Sequence, residues 1–129
     1  MLHQDYFIRV LREFFDALAR AMRKEGEDRS QAVHELYREY LGEYECWQNA
    51  NVEEAMELLA RYPEEQRLSR MEMLAELYYA EAELRTYPIS ETLLERALTL
   101  FEYLDRHSDT FSISRGLNVD DIRRRLHTT

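Results

Sequence analysis

Arg70-Met-Glu-Met-Leu-Ala-Glu-Leu-Tyr-Tyr-Ala-Glu-Ala-Glu-Leu84 decides the fold. The stretch has no Gly, Pro or β-branched residue, and Ala, Leu, Met and Glu are strong helix formers. Met71, Leu74, Leu77, Tyr78 and Leu84 recur at helical spacing, while Met73, Ala80 and Ala82 carry apolar surface round the side. A helix apolar over so much of its girth needs neighbours on more than one flank. The stretch therefore predicts the central helix of an all-α domain, running from Pro63 or Glu64 to about Thr86.

The flanking sequence supplies the neighbours. Upstream, Asn51 and Glu54 form a capping box, and Val52, Ala55, Met56, Leu59 and Tyr62 give an inward stripe that Pro63 ends. Before it, Asp28 or Ser30 opens a helix that closes near Gly42 or Tyr44. Its stripe is Val33, Leu36, Tyr37, Tyr40, Leu41 and Tyr44, and 45–50 reads as a connection. The first helix runs from about Gln4 to Lys24, with Gly26 as its stop. Its face is wide, and Ile8, Phe15 and Met22 lie seven apart with Leu11 and Leu18 between them, a short heptad seam. Downstream, Ser90 reads as the cap of a helix with Leu93, Leu94, Ala97, Leu98, Phe101 and Leu104 on one face. Residues 109–116 read as a loop tacked on by Phe111 and Ile113, and Asn118 as the cap of a short last helix. The expectation is one domain, 1–129: five main antiparallel helices over 1–110, then 111–129 as loop plus short helix.

Composition agrees. In 129 residues, three Gly and two Pro leave little material for a sheet's turns. A single Cys rules out an intrachain disulfide framework or a multi-cysteine zinc site. No apolar run approaches the ~20 residues that cross a bilayer, and no basic leader precedes Asp5, so a cytoplasmic location and no membrane association are expected. The net charge is −9, and residues 30–60 set Arg38 against seven glutamates. Nucleic-acid binding needs clustered Lys and Arg instead.

Two helical segments echo one another. Asn51-Val-Glu-Glu-Ala-Met-Glu-Leu-Leu and Glu95-Arg-Ala-Leu-Thr-Leu-Phe each place a small Ala four residues before a large apolar side chain, Ala55 with Leu59 and Ala97 with Phe101. This resembles the second helix of a tetratricopeptide hairpin, where Ala permits close approach. Ala55 and Ala97 stand 42 apart, whereas that family repeats at about 34. The reading is tetratricopeptide-like helical pairs, not consensus repeats. Asp5, Tyr6 and Arg9 also match the Asp-Tyr-x-x-Arg opening of a group of small bacterial helical proteins of tetratricopeptide type. That resemblance implies a fold and no activity.

Catalytic chemistry is not prefigured. The residues three before His34, His107 and His127 are Gln31, Leu104 and Arg124, so no Glu-x-x-His pair exists, nor does HExxH. Cys46 is flanked by Glu43 and Glu45, with no neighbouring base or cation to activate its thiol. No metal, cofactor or enzymatic activity is expected. Nine tyrosines are the outstanding feature. A Tyr ring with a hydroxyl that seeks a partner suits interfaces, so Tyr37, Tyr40, Tyr44 and Tyr78 are the candidate walls of a groove for a protein or peptide. Two surfaces are candidates for subunit contact: the first helix, and the last helix with Arg123, Arg124 and Arg125. The expected function is a non-enzymatic scaffold for protein association, including homo-oligomerisation. The alternative is a small-molecule pocket or minor enzyme in which His34, Glu35 or Arg70 joins the tyrosines.

Overall fold

The structure, a computed structural model, describes residues 2–109 and 112–127, with the side chains of residues 2–5 excepted. The expected contact through Phe111 and the motif's Asp5 side chain lie outside the described residues. Seven helices and no strand are present among those residues: α1 Leu2–Met22, α2 Gly26–Tyr40, α3 Tyr44–Asn49, α4 Val52–Leu59, α5 Glu64–Ala82, α6 Ile89–His107 and α7 Ile113–His127.

The central helix is α5. From Met71 to Ala82 every residue except Glu72 and Tyr79 is buried. It packs against α1 and α2 on one side and α4 and α6 on the other, as an all-round apolar helix requires. The α1–α2 pair adds Phe14, Leu18, Ala21, Val33, Leu36 and Tyr37 to the core, and α6 adds Leu93, Ala97, Leu100, Phe101 and Leu104. Ala55 of α4 and Ala97 of α6 are both buried, where a small side chain allows close helix approach.

The punctuation explains where the elements begin and end. The Asn51 side chain accepts from the Glu54 amide at 2.8 Å, and Glu54 Oε1 accepts from the Asn51 amide at 3.0 Å, closing the expected box. Gly26, read as the stop of the first helix, lies beyond the end of α1 at Met22 and instead opens α2, taking the left-handed φ of +56° that glycine allows.

Further expectations are corrected, among them the end of the central helix, which closes at Ala82 rather than near Thr86. The count rises from five or six helices to seven because 44–49, read as part of a connection, coils into α3. The helix α2 begins at Gly26 with Glu25 before it, so Asp28 and Ser30 lie within its first turns. Ser90 lies inside α6, which starts at Ile89. Finally, α7 begins at Ile113, so Asn118 is a mid-helix residue rather than a cap, and Ile113, 70% exposed, does not tack the chain down. Among the described residues, no helix is long and apolar enough to cross a membrane.

Candidate functional site

Helix α5 places Glu81 one turn beyond Tyr78, on its buried side. Its side chain is 1% exposed. A buried carboxylate is costly unless charge or hydrogen bonds compensate it, and here both do. Tyr37, on α2, donates to Oε1 at 2.8 Å, and Tyr44, opening α3, donates to Oε2 at 2.5 Å. Arg85 pairs with Oε2 at 3.0 Å. The Gln48 amide, turned to donate, reaches both oxygens at 3.2 Å. Among the described residues, no buried side-chain nitrogen or oxygen lacks a hydrogen-bond partner.

This cluster accounts for three of the four candidate tyrosines. Tyr37 meets Tyr44 edge to face at 5.0 Å and lies 6.4 Å from Tyr78. The Tyr78 hydroxyl donates to the Trp47 carbonyl at 2.6 Å, and Arg96 donates to the Gln48 carbonyl at 2.8 Å. These bonds satisfy carbonyls at the end of α3, which six residues could not do alone. Tyr40 stands apart, edge to face with Phe14 at 5.2 Å. Tyr37 and Tyr78 have no exposed surface, so neither can wall an open groove. Their hydroxyls prefer buried partners on α5 and α3 to solvent.

The electrostatics hold the phenols neutral. Burial, then the Glu81 carboxylate, push the Tyr37 and Tyr44 hydroxyls well above their usual range. Tyr78 is pushed up to about 12 by burial, against the opposing pull of Arg96. With every oxygen of Glu81 engaged and the phenols fixed as donors, the cluster works as an internal clamp joining α2, α3 and α5. Of the alternative's residues, His34 stacks on Tyr44 at 3.9 Å, and Arg70 donates to the Tyr40 carbonyl at 2.7 Å and lies over the Tyr62 ring. Glu35 lines a shallow cleft of about 260 Å³ between α1 and α2. A second cleft of about 240 Å³ lies among Arg85, Tyr87, Leu94, Arg125 and Leu126. None of the four tyrosines lines either one.

Sequence reasoning missed Glu81, Glu76 and Gln48. A signal was present for the glutamates: in a helix apolar all round, some acidic residues must face inward and need partners. Among the described residues, no three His, Cys, Asp or Glu side chains converge as a metal ion would require.

The surface has its own candidate. Phe14, Leu18 and Ala21 form the buried centre of α1's apolar arc. On one flank Ile8 is 50% exposed, while Leu11, Phe15 and Met22 are partly covered. The arc is wider than the two helices packed against it, α2 and α5, can cover. On α7 the arginines expected at a subunit contact are engaged within the chain: Arg123 with Glu102, Arg124 with Asp121, and Arg125 with Glu83 and Asp121.

Compared with protein-family models, characterised proteins and solved structures, the chain matches none.

Proposed function

We propose that the protein is a non-enzymatic helical scaffold that acts by association, and that the flank of α1 is the associating surface, with a second copy as its first occupant. One observation carries this reading: the heptad-spaced Ile8, Leu11, Phe15 and Met22 are incompletely covered beside the buried Phe14, Leu18 and Ala21 of the same helix. A stripe of this kind is buried by another helix at the same spacing. Charge favours self-pairing there. Residues 1–29 hold six basic and six acidic side chains, while the whole chain carries −9. Two copies therefore repel least when they meet through this segment.

The tetratricopeptide-like reading of the body is supported by a recurring offset. Ala55 on α4 and Ala97 on α6 stand 42 apart, and so do the residues that link α5 to α7: Glu76 with Asn118, Tyr79 with Asp121, and Glu83 with Arg125. On this reading α4 and α6 are the second helices of successive pairs, α2–α4 and α5–α6, and the extensive packing of α5 on α6 supports the latter.

Light scattering on the full chain tests the proposal. The expected mass is twice the 15.6 kDa of one chain, falling to one chain for Ile8→Glu/Leu11→Glu with helix content unchanged. A wild-type monomer at hundreds of micromolar, or a double variant that stays dimeric, would overturn it.

A further inference from the structure

The last helix is held in two unlike ways. Val119 and Ile122 are buried, and Leu126 packs against the core, with α6 as the main neighbour. Toward α5 the contact is a polar ladder. Arg115 pairs with Glu72, Asn118 with Glu76, Tyr79 with Asp121, and Arg125 with Glu83. The rungs advance by three or four residues on both helices, so α5 and α7 run parallel, and each rung exchanges one polar link for a turn of apolar packing.

The second rung stands out. Glu76 is 6% exposed, and its two oxygens accept from one Asn118 amide at 3.1 and 3.3 Å. Asn118 brings no charge. Glu72, one turn away on α5, brings a like charge that raises the cost of ionising Glu76. From α7, the Asn118 hydrogen bond and then Arg115 oppose that cost, but the Arg115 Nε lies 2.7 Å from Asp105 of α6 and its Nη1 3.5 Å from Glu72. Its charge is divided between two acids before Glu76 is reached. Among the described residues no ion pair reaches the Glu76 carboxyl, and α7 encloses it through Asn118.

We propose that α7 is a proton-linked latch, which seats firmly on α5 while the Glu76 carboxyl is neutral and loosens when that carboxyl ionises. The physical reason is that α7 forms the cover over Glu76. With α7 docked, the charge is buried beside Glu72; with α7 lifted, water solvates it. Burial, with Glu72 second, brings the carboxyl's titration to about 7, against an ordinary carboxylic value near 4 to 4.5. The docked state thus holds a proton that the lifted state has lost, and docking weakens as pH rises between those values. The latch is independent of the α1 surface.

Hydrogen exchange on the full chain tests it. After correction for the intrinsic pH dependence of exchange, α7 amides should lose roughly 10- to 100-fold in protection between pH 5.5 and pH 8.5, while α6 amides keep theirs. Glu76→Gln should hold α7 at the low-pH level throughout. Wild-type protection that does not change with pH, or a Gln variant that falls as the wild type does, overturns the proposal. Should Glu76→Gln fail to fold, carboxyl-carbon NMR of the wild type decides. A Glu76 midpoint near 7, followed by the Asn118 side-chain amide, supports the latch, and a midpoint in the ordinary range or an indifferent Asn118 overturns it.

Discussion

Glu81 carries more of the fold than its single position suggests, because four side chains, from α2, α3 and the segment just after α5, end on its two oxygens. Removing it strands the buried Tyr37 phenol and takes the partner from the part-buried Tyr44 and Arg85, whereas removing one phenol strands only part of a carboxylate. Glu81→Ala should destabilise the chain by about 3 to 5 kcal/mol, the range for breaking a buried charged network, and Tyr37→Phe by about 1 to 2 kcal/mol. Urea titration followed by circular dichroism gives both values, and equal losses would show that the clamp is not centred on Glu81. Glu76 predicts the opposite behaviour. Its carboxyl titrates higher in the folded chain than in the unfolded one, so its contribution is fully present below pH ~4.5 and lost as pH rises through about 7. Glu76→Gln should therefore raise stability by about 2 kcal/mol at pH 8 and leave it nearly unchanged at pH 5. Thermal melts at the two pH values check the sign. The four tyrosines were legible as residues that want a hydroxyl partner on an apolar body. That the partner would be an acid on the central helix was not, since the pairings Tyr37–Glu81 and Tyr44–Glu81 span 44 and 37 residues, and only tertiary packing brings them together.

At the scale of the elements, the long helices announced themselves and the short one did not. Capping at Asn51 and the apolar girth of α5 are local signals, and both hold in the structure, whereas α4 closes at Leu59, before Pro63, which sits as the N-cap of α5. Helix α3 has six residues and little intrinsic tendency to coil. Its form comes from outside: Trp47 is buried, its indole donates to the Leu41 carbonyl at 3.3 Å, and Tyr78 and Arg96 hold its last carbonyls. The start of α7 was hidden for a related reason. Asn118 reads as a cap because its side chain seeks a polar partner nearby, and the partner it finds is Glu76 on another helix. The turn into α3 depends on Gly42, whose φ of +117° disfavours any side chain. Gly42→Ala should cost about 1 to 2 kcal/mol, and the loss should appear as a red shift of Trp47 emission before global unfolding. An unshifted emission together with unchanged stability would mean that the turn tolerates another path.

For the molecule as a whole, an all-α body built round α5 followed from the first stretch read, and the charge distribution separated a neutral first helix from an acidic remainder. The covering of α1 did not follow. Its wide apolar arc, from Phe7 to Met22, is compatible with complete burial, and only the packed arrangement leaves Ile8 half exposed while sealing Phe14. Tyr37 and Tyr78, expected as groove walls, went to the interior, and the proposed association passes instead to aliphatic and phenylalanine side chains on α1. The most direct test is an isotope-filtered NOE measurement on an equal mixture of labelled and unlabelled chains. Contacts between copies should arise from Ile8, Leu11, Phe15 and Met22. Contacts confined to other exposed apolar groups such as Ile113 and Leu117, or none at all at millimolar concentration, would contradict the account.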